Sequence, residues 1–482
     1  MTKGKSLADY APMPRPQEDW DQQLGNHFIL EQRDCDPAEQ AALAQECIPT
    51  LNPSQLAAFN TIVQAVTTQS GQCFFLHGPG GTGKTYVYNT ICHHLRSQGK
   101  IVLCTASSGI AALLLIGGRT AHYHFKIPIL LHEDSLCGIK KNLLQAELLQ
   151  QTDLIIIDEI TMQHRHAAEA LDWTLKDICN SDQLFGGITI VFGSDYQQIL
   201  PIVTYPSRPW VVNACLIHSR IWAGLRILKL ETNMRLLQAN QEETDFAKWQ
   251  LEVGHGKHTD NDANITIPPA LLDHIYPGIG NLPHPPDHYF AERSILSPCN
   301  VDVNALNQMV LDKFPGQERV YHSADSANTR GDEEMMYPPE QLNMINLSGL
   351  PLSKLTLKVG CPVMVLCNLN PQEGVCNGSR GIVTRMANRV IEICLLTGDN
   401  AGNNVFIPRL KITPSETELP FQFSRIQYPI RLAFCMTINK AQGQSLRQAG
   451  LDLRTSVFAH GQFYVAISRA TSVNSLKIIW TG

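Results

Sequence analysis

Eight consecutive residues, Gly78, Pro79, Gly80, Gly81, Thr82, Gly83, Lys84 and Thr85, have the types and spacing of a loop that cradles phosphate. Its glycines let successive backbone N–H groups turn inward around a polyphosphate. Lys84 supplies a point charge for the β- and γ-phosphates, and Thr85 a hydroxyl for Mg²⁺. A helix starting at this point adds the positive end of its dipole. The expected ligands are ATP and Mg²⁺. A second group lies further along, where the apolar run Leu154–Ile157 ends in Asp158-Glu159. In this position Asp158 holds Mg²⁺ and Glu159 polarises the attacking water. The polar run Gly193–Gln198 also follows a strand, where a γ-phosphate sensor would sit. Arg235 in TNMRL and Arg469 in YVAISRAT are candidate arginine fingers for the charge that develops during phosphoryl transfer.

These groups need a frame that brings strand ends together. CFFL (73–76), IVLCTA (101–106), DLIIID (153–158), ITIVFG (188–193) and RILKL (226–230) are short apolar runs. Helical stretches separate them, one spanning 84–98 with Val87, Ile91 and Leu95 on a single face. Nearly continuous apolar strands alternating with helices predict a parallel α/β sheet. Strand–helix alternation returns at RSILSP (293–298) and again at IRLAFCM (430–436). Between 361 and 412 the pattern changes to short alternating strands, PVMVLC, GIVTRM, VIEICLL and NVFIPRL, with turns at Asn377-Gly378 and Gly398-Asp399; this predicts an all-β insert. Residues 254–290 and 323–346 read as long loops. Residues 1–50 read as a polar arm with helical potential near 37–47.

A length of 482 residues exceeds one ordinary core. The net charge of −6 is uneven: residues 1–50 hold nine acids and four Lys or Arg, which leaves −1 for the remainder. A near-neutral body can carry a local basic groove, so the total does not exclude nucleic acid. The fourteen cysteines contain no C-x-x-C pair and no zinc-ligand spacing, and read as free thiols. No apolar run is long enough to span a bilayer. The first twenty residues lack the apolar core of a secretory signal, so an intracellular location is expected.

In this order, further motifs make the sequence similar to the petite-integration-frequency (Pif) type of superfamily-one DNA helicases, in particular the branch carried by Helitron transposons. LNPSQ (51–55) resembles an adenine-reading motif, with Gln55 the reader. TASSGIAA (105–112) and GGRTAH (117–122) resemble strand-contacting motifs. Residues 158–178 resemble the acidic motif with a signature helix, and SDYQQILP (194–201) the sensor motif with Gln198 the sensor. TINKAQGQSL (437–446) and YVAISRAT (464–471) resemble motifs of a second motor domain.

The resemblance implies two RecA-like P-loop domains with parallel sheets and a small SH3-like β-barrel insert. It places an acidic arm at 1–50 and a first motor domain at 51–236, with a wedge at about 123–150. A second motor domain would take 237–358 and 413–482, and the insert 359–412. The catalytic set it implies is Lys84, Asp158, Glu159, Gln198, Arg235 and Arg469. The DNA contacts are Ser107, Ser108, Thr120, His122, Thr437, Asn439, Lys440 and Gln442, although each hydroxyl reads equally well as a helix cap. Single-stranded and forked DNA are the implied partners, with 5′-to-3′ movement, a monomeric motor, no membrane, and the nucleus ahead of the mitochondrion. Its rivals are a DNA-stimulated translocase that unwinds poorly and a DNA-binding remnant. The sequence departs from the family pattern where Ser194, Tyr196 and Gln197 stand for Gly, Phe and Arg, and where Asn439 stands for His.

Overall fold

The computed structural model describes residues 25–201, 203, 208–236, 241–255, 274–280, 287–328, 338–345, 347, 349–398, 400–414, 421–470 and 472–480. Helices α1 (His27–Arg33), α2 (Pro37–Cys47) and α3 (Pro53–Thr67) come first. Six strands follow: β1 (Cys73–His77), β2 (Val102–Ala106), β3 (Arg119–Thr120), β4 (Leu154–Asp158), β5 (Thr189–Ser194) and β6 (Leu225–Lys229). They form one parallel sheet in the order β3-β2-β4-β5-β1-β6. The central strands are buried on both faces, which explains their unbroken apolar runs. Helix α4 (Lys84–Ser97) covers one face with Val87, Ile91 and Leu95; α5 (Gly109–Leu113) follows β2, and α6 (Arg165–Cys179) lies on the other face. The order matters because β1, β4 and β5 are neighbours or next neighbours, so their C-terminal ends meet at one crevice.

Two elements of the N-terminal arm are docked on this domain. Ile29 and Phe28 of α1 join its core, and His93 of α4 bonds Gln40 of α2 at 2.8 Å. From Gly25 onward the arm is therefore part of the first domain; residues 1–24 lie outside the described residues.

A second parallel sheet orders β18-β7-β19-β20, with β7 (Arg293–Ser297), β18 (Cys435–Thr437), β19 (Gln448–Leu453) and β20 (Leu476–Trp480). Helix α7 (Gln241–Gly254) precedes it, and α8 (Asn300–Lys313) packs against β7 and β18. Inserted between β7 and β18 is a five-stranded antiparallel sheet in the order β14-β13-β12-β11-β17. Its strands are β11 (Pro362–Val365), β12 (Arg380–Met386), β13 (Val390–Leu395), β14 (Asn404–Pro408) and β17 (Ile430–Leu432). Two smaller sheets pair β8 (Glu318–His322) with β10 (Lys354–Lys358), and β9 (Ala324–Asn328) and β15 (Leu410–Ile412) with β16 (Gln422–Gln427).

Two expectations change here. The run IRLAFCM is two strands: Ile430–Leu432 closes the antiparallel sheet and Cys435–Thr437 opens the parallel one. The insert's sheet thus takes a strand from beyond residue 412. The stretch 323–346, expected as a loop, includes strand β9 and a short helix, Pro339–Asn343. Of the expected loop 254–290, residues 256–273 and 281–286 lie outside the described residues.

Arg380 ties the insert to the second parallel-sheet domain. Its side chain is fully buried and donates to the carbonyls of Phe290, Ala291, Arg293 and Ala433, at 2.7 to 3.5 Å. Burial lowers its pKa. Replacing it with an apolar group strands several buried acceptors, each worth about 1–3 kcal/mol. Arg380→Leu is expected to lower the chemical-denaturation stability by on the order of 3 kcal/mol. Arg385→Leu, at a side chain 85% exposed, should change it by less than about 0.5 kcal/mol. Equal effects from the two substitutions would refute this assignment.

Candidate nucleotide cleft and its rim

The loop Gly78–Thr85 joins β1 to α4, and two of its glycines adopt left-handed backbone angles: Gly81 at φ 89° and Gly83 at φ 80°. Gly83 has a second reason to lack a side chain, since a Cβ there would stand 2.5 Å from Gln55 Nε2. Gln55 is buried at the start of α3. Its Nε2 donates to the Thr82 carbonyl at 2.9 Å, and its Oε1 accepts from the Asn52 backbone at 3.0 Å, completing a capping box. The residue expected to read adenine therefore also fixes the phosphate loop. Lys84 Nζ donates to the Gly78 carbonyl across the loop. Thr85 is half-buried at the first turn of α4.

Asp158 ends β4, and Glu159 follows in a left-handed conformation at φ 54°. Both are buried. Desolvation, with Glu159 adjacent, pushes the Asp158 carboxyl up to about 7, against the pull of Lys84. Burial also raises Glu159, opposed by Lys84, by a hydrogen bond from Gln442 and by Arg469. Among the described residues Asp158 Oδ1 has no hydrogen bond of good geometry, and the Tyr88 hydroxyl lies beside it. A buried carboxylate oxygen with only a tyrosine hydroxyl beside it suits a hydrated divalent cation, and the glycine-rich loop suits phosphates.

The second domain reaches into this crevice. Gln442 Nε2 donates to Glu159 Oε2 at 3.0 Å. Helix α9 (Gln462–Ile467) brings Tyr464, whose hydroxyl donates to Asp195 Oδ2 at 3.1 Å. Asp195 is fully buried; its Oδ1 accepts from the Gln197 amide at 3.1 Å, and its Oδ2 from Gln198 Nε2 at 3.4 Å. Gln198 Oε1 has no hydrogen-bond partner among the described residues. Arg469, just past α9, is buried and turned toward its own domain, donating to the carbonyls of Val465 at 3.0 Å and Gln444 at 2.9 Å. Its charge still acts on Glu159. The structure thus gathers Lys84, Asp158, Glu159, Gln198 and Arg469 around one cleft. Arg235 has its backbone in the 3₁₀ turn Met234–Leu236, and its side chain lies outside the described residues.

Several expected DNA contacts have other partners. The Ser107 hydroxyl donates to the Glu159 carbonyl at 2.6 Å, holding the acidic turn. Ser108 caps α5 through the Ala111 amide at 3.2 Å, which is the helix-cap reading. Gln442 holds Glu159, as above. Asn439 Oδ1 accepts from Gln462 Nε2 at 3.0 Å, so it braces two motifs of the second domain. His122 is exposed, while Thr120, Thr437 and Lys440 are half-buried. Burial, with Arg431 nearby, lowers the Lys440 ammonium to about 8.

The departures have local reasons. A Cβ at Gly193 would collide with the Tyr88 hydroxyl and Asp158, so glycine remains there. The next position has room, and the Ser194 hydroxyl bonds Thr161 at 2.6 Å. Tyr196 stacks on Phe75 at 4.7 Å and meets Trp222 edge-on. Gln197 bonds the His255 ring at 3.0 Å. Asp195, Tyr464 and Tyr88 escaped the sequence reading. Asp195 and Tyr464 stood inside recognised motifs, and only their contact across the cleft marks them.

The sequence matches the family model described as PIF1-like helicase over residues 50–264, and that described as DNA helicase Pif1, 2B domain, over 340–386. It is 26% identical over 460 residues to an ATP-dependent DNA helicase Pif1 of Psychrobacter, covering 85% of this chain and 66% of that protein. It is 27% identical to an ATP-dependent DNA helicase PIF1 of Danio rerio, covering 98% of this chain and 67% of the relative. The chain thus spans about two thirds of the length of these relatives. A crystal structure of Bacteroides Pif1 bound to ssDNA superposes with a TM-score of 0.65 at 23% identity, covering 86% of this chain and 91% of that one, a likeness of fold. Two parallel-sheet domains share one cleft, one carries a β insert, and both family models fall on these parts: over them the chain is similar to the PIF1-like helicases.

Proposed function

We propose that this chain is an ATP-dependent DNA helicase that moves 5′ to 3′ along single-stranded DNA and opens duplex at forks. The observation that carries it is the shared cleft: Gln442 of the second domain bonds Glu159 of the first, and Tyr464 bonds Asp195. Groups divided between two bodies make nucleotide occupancy and domain closure a single event.

Lys84 leaves the Gly78 carbonyl to take the phosphates, because a charge-assisted bond to phosphate outweighs one to a neutral carbonyl. Thr85 and Asp158 would hold Mg²⁺, which supplies neutralisation of phosphate charge when bound. Glu159 accepts the proton of the attacking water, and Gln198 Oε1 orients that water. Arg469 turns from its carbonyls toward the developing charge. Hydrolysis removes the shared anion and reopens the cleft, stepping the domains along DNA. The grip on DNA is to phosphates and is sequence-neutral, with Thr120, His122, Thr437 and Lys440 at the rim. Exposed Ile129, Leu130 and Leu136, in the wedge stretch, offer an apolar edge where the strands part.

ATP hydrolysis is expected to rise with single-stranded DNA in the parent and to vanish in Lys84→Ala. A fork with only a 5′ tail should open, whereas one with only a 3′ tail should not. A parent rate indifferent to DNA would sink the motor reading, and the reverse tail preference would sink the polarity.

Gln442→Ala should lower kcat about tenfold, the loss of roughly one hydrogen bond to a charged group, while DNA affinity changes less than about threefold. A loss of DNA affinity with kcat intact would return Gln442 to the strand.

Asp158 permits a test without turnover. Its carboxyl titrates near 7 in the folded protein against an ordinary value of 3.8. Between these values the folded chain binds more protons than the unfolded one, so this group's contribution to stability falls as pH rises through the window. In metal-free protein, Asp158→Asn should therefore stabilise more at about pH 8 than at about pH 4, by on the order of 3 kcal/mol. Denaturant titrations at the two pH values measure this, and an equal effect at both would contradict the raised value.

A further inference from the structure

Helix α9 does more than deliver Arg469. Its first turn is pressed onto the sensor loop: a Cβ at Gly461, where φ is 74°, would lie 2.5 Å from the Gln198 carbonyl oxygen and 2.7 Å from that of Gln197. One turn on, Tyr464 is 4% exposed and its ring fills the space beside Gly254, where a Cβ would stand 2.9 Å from the ring. Its hydroxyl reaches Asp195, and the Gly80 amide of the phosphate loop lies beside the same hydroxyl. Burial and the Asp195 charge push the Tyr464 hydroxyl above its ordinary pKa, so it remains a donor.

We propose that Tyr464 is a positioning residue for hydrolysis, setting Gln198 by way of Asp195 when the second domain closes on the first. Asp195 is fully buried and needs donors. Its Oδ2 has Tyr464 and the Gln198 side chain, and its Oδ1 has the Gln197 amide. The Tyr464 bond comes from the other domain, so cleft opening removes it and closure restores it. With Asp195 held, the Gln198 amide is anchored through Nε2, and its unpartnered Oε1 is the end left to orient water. Without the tyrosine, a buried carboxylate loses a donor and takes compensation from its neighbours, which turns Gln198. The phosphate loop, the sensor and the arginine-bearing helix meet at this one hydroxyl.

This inference rests on the ATPase reading above, and its test separates the two. Tyr464→Phe keeps the ring and removes only the donor; Asp195→Asn, near-isosteric, removes the charge and leaves at least one of the three donors that converge on it without an acceptor. The steady-state ATPase of both variants, of Gln198→Ala and of the double variant Tyr464→Phe/Gln198→Ala is measured with and without single-stranded DNA. Tyr464→Phe should lower kcat about tenfold, with KM for ATP and affinity for DNA within about twofold of the parent. Asp195→Asn should reproduce that split. The double variant should be no slower than Gln198→Ala, because the tyrosine acts through the glutamine. An unchanged kcat in Tyr464→Phe, a multiplied loss in the double variant, or a change confined to KM would overturn the proposal. Hydrolysis without DNA carries the same comparison, so a parent indifferent to DNA would fail as a helicase while Tyr464 is still judged by these rates.

Discussion

Two adjacent carboxylates held out of water are the constraint from which the rest of the cleft follows. Asp158 and Glu159 are both buried, and each raises the cost of ionising the other or is itself raised by desolvation. Such a pair persists only where donors and cations converge. β4 places them at the centre of the sheet, flanked by β2 and β5, so the phosphate loop after β1 lies one strand beyond. Lys84 contributes charge from that loop. The Ser107 hydroxyl holds the turn's carbonyl, permitting the left-handed Glu159 that aims its side chain into the crevice. The remaining need, a donor for Glu159, is met from outside the domain by Gln442.

That last step turns a local electrostatic demand into a mechanical one. A domain whose buried acids are satisfied partly by its neighbour is more comfortable closed than open, and an anion that takes over Lys84 shifts the balance among the same groups. The second domain must then be rigid enough to transmit the movement. Arg380, Asn307 and Lys358 contribute to this by donating to buried backbone carbonyls. Arg380 bonds those around β7 and Ala433, Asn307 those of Leu432 and Cys435, and Lys358 those of Leu311 and Phe314 at the end of α8. These are polar joints in an apolar interior: Arg380 and Asn307 link the insert's sheet to the parallel sheet that precedes Asn439, Lys440 and Gln442, and Lys358 ties β10 to the end of α8.

What the sequence made legible follows the same physics. The strands of the first sheet are buried on both faces, so each is an unbroken apolar run, and the phosphate loop needs backbone angles that glycine adopts freely; both leave strong marks. The division of IRLAFCM left none, because one apolar run serves two sheets and only the change of direction at Ala433-Phe434 separates them. The hydroxyls and amides assigned to DNA were ambiguous for a related reason. Ser107, Ser108 and Gln442 are suited equally to phosphates, helix caps and carboxylates, and residue type alone does not choose among these.

Departures from the family pattern at the sensor motif show how much freedom surrounds the fixed points. Gly193 has none, since a side chain would strike Tyr88 and Asp158. Ser194, a residue later, points into a space with a waiting hydroxyl on Thr161. Tyr196 keeps the aromatic stack that a phenylalanine would make against Phe75. Gln197 puts a neutral amide facing His255 where the pattern has a cation, while its backbone amide still donates to Asp195 Oδ1. Substitution is thus tolerated where a side chain faces outward from the sensor turn. It is constrained where the side chain or its absence sets the distance between the acids, the phosphate loop and the second domain.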